Sequence, residues 1–382
     1  MSSRSRRVCL LLLQGGLLLG GWLWSCSAHS APDASSPDWV LIPDERRATV
    51  WQVFAGGKVT RLDLSRLPMS PWPGSTPTLS LYPSPRQDQV IYAFNNDLWL
   101  FDVGATKHRR LTHVGQPYST HYASVSAEFL AWAGDGSQIL YQVVGGETES
   151  QGDGPDWTVK PRKAPYGKHL LTLASGRSKP LPLHDGGGWM SPSWDAQQTL
   201  YVVMPGASQK PLDEELHALP MGSGLSARLV DERAWWGIPK LSRNGLWLIV
   251  HAGKRASPDT GAARGNDTRM KLVKVHLPTR QATDATPLGQ WAEFNSEALS
   301  PSGESLAYFR RKLQGPNDQS GTLVVNGRAL LESSGRMEPY WISETRLAFT
   351  QMREVNEGGP RIGVLDAISG KLIASFDLPS AR

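Results

Sequence analysis

Few side chains in this sequence have types and spacing suited to chemistry. Cys9 and Cys26 are the only cysteines, and both precede the part expected to fold, so a disulfide framework and a cysteine metal site are both ruled out. The nine histidines are dispersed. His108, His113 and His121 come nearest to a cluster, but their spacing matches no metal signature. No G-x-S-x-G elbow, H-E-x-x-H helix or Walker phosphate loop occurs. SPSGES (Ser300–Ser305) has the look of a nucleophile loop but reads as a turn, and NDT (Asn266–Thr268) reads as loop chemistry. One group suits binding instead: Trp157, Lys160, Arg162 and Lys163 set an aromatic ring beside three cations, which suits an acidic or aromatic partner surface. The expectation is a chain with no catalytic, cofactor or metal site of its own.

The elements that must position these residues come from a phrase that recurs: an aromatic or apolar residue, a tight polar turn, then a short β-run. SPRQDQVIYAF (Ser84–Phe94), WAGDGSQILY (Trp132–Tyr141), PSWDAQQTLYVV (Pro192–Val203), PKLSRNGLWLIV (Pro239–Val250), ALSPSGESLAYF (Ala298–Phe309) and PYWISETRLAFT (Pro339–Thr350) share it. Their second turn residues, Gln87, Gly136, Gln198, Gly245, Gly303 and Thr345, are spaced by 49, 62, 47, 58 and 42 residues, a period typical of stacked repeats. Each copy continues into a second and third β-run, as in DLWLFDV and KHRRLT after Phe94. Four β-runs per unit make one antiparallel sheet. Such sheets bury their faces against one another around an axis, so the predicted fold is an all-β propeller of four-stranded blades with very little helix. Before the first copy, WVLIP (Trp39–Pro43), TVWQVFA (Thr49–Ala55) and KVTRLDL (Lys58–Leu64) read as the last three strands of a further unit, giving seven blades. Six blades with an appended ribbon is the alternative.

The unit resembles the repeat of TolB-type propellers, also found in prolyl-oligopeptidase-like enzymes, through ALSPSGESLAYF, WAGDGSQILY and LWLFDVGATKHRRLT. The resemblance covers about residues 39 to 378 and implies a propeller that binds a protein or peptide. It carries over no contact residues. Two departures stand out: strands begin without the α/β domain that precedes the TolB propeller, and there is no room for the hydrolase domain of the oligopeptidases.

Thirteen of the 15 tryptophans lie beyond the leader. Trp99, Trp132, Trp194, Trp247 and Trp341 recur within the strand phrases and suit packing between blades, whereas Trp157, Trp235 and Trp236 lie outside them and suit exposed contacts, with sugar stacking among the options. The long insertions at 144–168, 205–215, 253–269 and 312–321 all fall between the second and third strands of their units, which decorates one face of the disc.

The beginning of the chain reads as an export signal: MSSRSRR is basic, and VCLLLLQGGLLLGGWLW is apolar and of signal-peptide length. LWSC (Leu23–Cys26) resembles the lipobox of bacterial lipoproteins, with Trp24 as a departure, so Cys26 is the expected site of lipidation. Cleavage near Ala28 to Ala31 and an uncleaved anchor are the alternatives. Residues 1–25 are thus read as signal, 26–38 as tether and 39–382 as propeller. Without Arg4, Arg6 and Arg7, 37 basic residues stand against 35 acidic ones, too even a balance for nucleic-acid binding. The sequence as a whole points to an exported, lipid-anchored envelope scaffold, periplasmic or outer-membrane-associated, that engages a protein, peptide or glycan through its loop-rich face. A propeller hydrolase or lyase acting on envelope or extracellular polymers is the alternative, since such enzymes gather a site from single residues on several blades.

Overall fold

The computed structural model describes residues 37–45, 48–64, 80–117, 124–145, 163–181, 192–195, 197–205, 214–221, 227–228, 234–253, 271–286, 292–312, 319–352 and 360–379. Their regular structure is β throughout, in seven antiparallel sheets. Blade 1 holds β1 (Trp39–Asp44), β2 (Thr49–Phe54) and β3 (Val59–Asp63); blade 2 holds β4 (Leu81–Pro83), β5 (Gln89–Phe94), β6 (Asp97–Asp102) and β7 (Lys107–Arg110). Blade 3 runs through β8 (Val125–Trp132), β9 (Gln138–Gly145), β10 (Gly167–Thr172) and β11 (Arg177–Pro180), and blade 4 through β12 (Ser193–Trp194), β13 (Thr199–Pro205), β14 (Glu214–Pro220) and β15 (Ala227–Arg228). Blade 5 contains β16 (Ala234–Leu241), β17 (Trp247–Gly253), β18 (Lys271–His276) and β19 (Gln281–Asp284); blade 6 contains β20 (Ala292–Leu299), β21 (Leu306–Arg311), β22 (Gly321–Val325) and β23 (Arg328–Ser333). Blade 7 closes the series with β24 (Met337–Trp341), β25 (Arg346–Gln351), β26 (Arg361–Asp366) and β27 (Leu372–Asp377).

Each sheet is apolar on both faces because each is sandwiched between neighbours, and the core is a set of clusters between blades. Ile91, Leu98 and Leu100 of blade 2 pack with Val125, Ile139, Tyr141 and Leu171 of blade 3, and Phe309 and Leu323 of blade 6 pack with Trp341, Phe349 and Leu365 of blade 7. The ring closes in the same way, with Val40, Ile42, Trp51 and Val53 of blade 1 against Ile342, Ala348, Ile362 and Val364 of blade 7. Seven blades are present; the six-bladed alternative is excluded.

Blade 1 has three described strands, and they occupy the second, third and fourth slots. Trp39, the first residue of β1, donates from Nε1 to the carbonyl of Gln87 in the first turn of blade 2, the contact position that Trp247 of β17 holds against Gly303 of blade 6. The Leu64 N–H donates to the Ala48 carbonyl just as Leu111 does to Leu98 and Ala285 to Leu272, which matches β2 to the third strands β6 and β18. Ala55 N–H donates to the Asp38 carbonyl at 3.0 Å, so alternation turns the backbone groups of Trp39, Leu41 and Pro43 away from β2. On that inner edge the Leu41 N–H is taken by Gln87 Oε1 at 2.7 Å, and Pro43 has no N–H to offer.

The recurring phrase is a turn built on a buried serine. In blades 2, 5 and 6 the N–H groups of Gln89, Trp247 and Ser305 donate to Ser84, Ser242 and Ser300 Oγ at 3.2, 3.0 and 3.2 Å. A turn residue one to three places before the second strand takes positive φ: Gln87 61°, Gly136 70°, Gln198 62°, Gly245 72° and Gly303 76°. Only the blade 7 copy, at Thr345, does without it. Ser300 is therefore a turn residue whose oxygen is occupied within the turn.

Candidate functional site

Up-and-down blades send the first-to-second and third-to-fourth turns to one face of the ring and the second-to-third connections to the other. The first face is tight, and its turns are stitched from blade to blade: Asn244 Nδ2 donates to the Ser302 carbonyl at 2.7 Å, and Ser302 N–H and Oγ donate to Glu344 Oε1 and Oε2 at 2.6 and 2.9 Å. At the second face the second strands of blades 3 to 7 end and their third strands begin, and the sequence between them runs over 146–166, 206–213, 254–270, 312–320 and 352–360. The insertions thus fall in the expected slot, and blade 7 adds one more.

Around the axis the first strands of four successive blades are joined by a row of polar contacts. Ser193 Oγ on β12 donates to the Pro239 carbonyl on β16 at 2.5 Å. Next along β16, Lys240 Nζ reaches both Oε1 of Glu297 on β20, at 3.1 Å, and the Glu297 carbonyl, at 2.9 Å. Arg336, at the entry to β24, donates from Nε to Ser296 Oγ at 3.2 Å and pairs through Nη2 with Glu338 Oε1 at 3.0 Å. Tyr340 O–H completes the row by donating to Glu338 Oε2 at 3.0 Å.

Local register explains how these side chains come to share one wall. β16 is irregular between Trp236 and Lys240, and β20 between Ala292 and Glu297; both strands therefore re-aim their side chains just before the turn phrase. Glu297 is only 3% exposed, and among the described residues its Oε2 has no hydrogen-bond partner and Lys240 is the cation that pairs with it. Burial, and then the Glu338 charge, push the Tyr340 phenol well above its ordinary range, which keeps it neutral and donating. Two carboxylates, two cations and a phenol compensate one another. Such a wall can hold polar groups by hydrogen bonds, but neither Ser193 nor Ser296 stands beside a base: their described partners are a backbone carbonyl and a guanidinium.

Of the residues singled out from the sequence, Lys163 is exposed in the segment leading into β10, while Trp157, Lys160, Arg162 and Cys26 lie outside the described residues, as do His121 and Asn266. His108 is a packing residue: its Nδ1 meets Tyr92 O–H at 3.0 Å, its ring sits 4.9 Å from Phe101, and burial lowers its pKa. His113 is exposed, and no group of metal-binding side chains forms among the described residues. Trp132 and Trp341 act between blades, donating from Nε1 to the carbonyls of Tyr82 and Ala298, each at 3.0 Å. Trp194 is buried, and Trp99 packs on Tyr92 and Phe94. Trp247 lies under Lys274 and against His276. Trp235 and Trp236 are backbone-paired with Ala252 and His251 in β16.

The polar row has no linear motif, since its contacts from blade to blade join residues some 40 to 60 positions apart. One signal was available: a charged residue inside the first strand of three consecutive repeats, Lys240, Glu297 and Glu338, where packing alone would place apolar ones.

No protein-family model matches the sequence, and no curated protein matches it. Solved structures do share its fold. A puromycin hydrolase is 15% identical, with a TM-score of 0.51 over 90% of this chain and 53% of that one. TolB from Acinetobacter baumannii is 13% identical, with a TM-score of 0.45 over 76% of this chain and 61% of that one. An oligogalacturonate lyase from Vibrio parahaemolyticus is 10% identical, with a TM-score of 0.48 over 88% and 84%. The chain therefore spans about three-fifths of that TolB structure and half of the puromycin hydrolase. These likenesses concern the β-propeller fold.

Proposed function

We propose that the chain is an exported, lipid-anchored scaffold of the cell envelope that binds a protein or peptide partner through its loop-bearing face and the channel mouth beside it. One observation carries this reading: five successive blades place their long connections in the same slot, so five loops leave one face of a rigid ring whose other face is held by turn-to-turn hydrogen bonds. Loops on a rigid scaffold are where proteins concentrate recognition. Residues 146–166 include Trp157, Lys160, Arg162 and Lys163, an aromatic anchor among cations, and these are the residues expected to contact the partner. A glycan is the other ligand class that such an aromatic would suit.

The test replaces 146–166 with a two-residue turn and compares envelope partners captured by both forms, with thermal melts to confirm that the ring is intact. Loss of one stoichiometric partner supports the reading, and unchanged capture rejects it. Lipidation is tested by intact mass of the mature chain: an acylated N-terminal Cys26 is expected, and an unmodified chain starting near Ala31 rejects the anchor.

A second reading, hydrolysis or lysis of a polymer, draws on the two carboxylates of the polar row, Glu297 and Glu338. It predicts polymer cleavage that Glu297→Gln abolishes while the ring stays folded.

A further inference from the structure

Outer strands are the exposed edges of a propeller, where scattered charge keeps other chains from pairing. Most of them carry no more than that: the sequences of β3 (VTRLD) and β23 (RALLES) mix both signs, and β19 (QATD) and β27 (LIASFD) hold one aspartate each. β7 (KHRR) and β11 (RSKP) differ. These outer strands of neighbouring blades hold five cations, Lys107, Arg109, Arg110, Arg177 and Lys179, and no carboxylate.

Strand alternation gives four of the five the same place in successive blades. The second residue of each strand turns inward to a tyrosine: His108 Nδ1 meets Tyr92 O–H at 3.0 Å, and Ser178 Oγ meets Tyr141 O–H at 2.9 Å. Lys107 and Arg109 flank the first, Arg177 and Lys179 the second, and all four are exposed. Arg109 Nη2 also donates to the Leu173 carbonyl of blade 3 at 3.1 Å, which joins the two surfaces. Among the described residues none of the four forms an ion pair: Arg110 takes Asp97, and Asp102, across the ladder from Lys107, turns Oδ1 to the Ala105 N–H at 2.7 Å. Like charges set side by side repel, so protection of an edge does not account for so many of one sign. The turns beside them, GAT (104–106) and ASG (174–176), add no large apolar side chain. Protein interfaces are anchored on aromatic and apolar residues. A flat set of cations without such an anchor suits instead a surface of many anions that imposes no register, as the headgroups of an anionic membrane do.

We propose that the outer edges of blades 2 and 3 form a basic patch that docks the ring against an anionic phospholipid surface, with Lys107, Arg109, Arg177 and Lys179 on the headgroup phosphates. The ring then meets the membrane by its circumference rather than by either face.

Vesicle flotation tests this, with the chain from Ser27 to Arg382, which keeps every described strand and omits Cys26, so that the result does not depend on the lipid anchor. Binding to vesicles of phosphatidylcholine with phosphatidylglycerol is expected, falling as salt is raised, and none to phosphatidylcholine alone. Lys107→Glu with Lys179→Glu should weaken it roughly tenfold or more while the melting temperature holds, since both side chains are exposed and neither is in an ion pair. Arg280→Glu with Lys371→Glu makes the same change of charge at exposed positions on blades 5 and 7 and should leave binding nearly unchanged. Binding that does not distinguish the two vesicle types overturns the proposal, as does an equal loss in both double variants. Preference for poly-glutamate over anionic vesicles also overturns it and would assign the patch to an acidic protein.

Discussion

Gly303, at the first turn of blade 6, lies so close against the indole of Trp247 in blade 5 that a Cβ would collide with its Cβ, Cγ and Cδ1, and its φ of 76° is one that L-residues rarely adopt. Gly136 has nearly the same φ, but a Cβ there meets only the flexible side chain of Arg86, at 3.2 Å.

Gly136→Ala should therefore cost about 1 kcal/mol, the strain of φ alone, whereas Gly303→Ala adds displacement of a packed tryptophan and should cost about 2 to 3 kcal/mol. Urea unfolding of the two variants checks the order, and equal losses would mean that Trp247 yields freely.

Gln198 and Gln87 adopt the same left-handed conformation as those glycines, at 62° and 61°. Gln198→Gly should raise stability by up to about 1 kcal/mol by relieving that strain. Gln87→Gly should not, because it also removes the Oε1 that accepts the Leu41 N–H on the open edge of β1. Thermal melts of both variants decide the matter.

Lys240→Met should be among the most damaging changes in the polar row, costing about 3 kcal/mol, because it leaves the buried Glu297 carboxylate without its cation. The double variant Lys240→Met, Glu297→Leu should recover most of that loss. A chemical-denaturation double-mutant cycle measures the coupling, and a near-zero value would show that Lys240 contributes only its stem.

Asp97 accepts from Thr112 Oγ at 2.6 Å, Val114 N–H at 3.0 Å and Gly115 N–H at 3.1 Å, and it also holds Arg110. Asp97→Ala should cost about 2 to 4 kcal/mol by orphaning those donors at the exit of blade 2, and Asp97→Asn should cost less. Hydrogen exchange at Val114 and Gly115 reports the local loss directly.

Asp366 titrates at about 2, lowered first by the Ser369 N–H and hydroxyl and then by Arg346. A carboxyl depressed in the folded state lends stability above its unfolded pKa and loses it as pH falls through the folded one. The Asp366 contribution should accordingly be complete above about pH 4 and fade toward pH 2, and Asp366→Asn should flatten the acid limb of the stability curve over that window. A titration midpoint for Asp366 near the ordinary carboxylate value would remove the effect.

Blades were legible in the sequence because each is written locally: Asp135-Gly136 and Ser302-Gly303 are turn chemistry, and the runs beside them alternate as strands do. The slots of β1 to β3 were legible for the same reason, since TVWQVFA and KVTRLDL repeat the ending of the other units. Glu297 and Lys240 were not, because strand irregularities that no propensity encodes bring together two positions 57 residues apart. Gln87 was legible as a turn residue from its place beside Gly136 in the repeat, but its hold on the Leu41 N–H was not, since nothing local to either residue marks that contact.

Because β1 fills a second-strand slot, its first residue, Trp39, sits among the first-to-second-strand turns, bonded to Gln87. The chain therefore enters the ring from the stitched side. Which of four strand positions is the first to be filled thus decides the rim at which the ring is entered, here the one opposite the ends of the second strands.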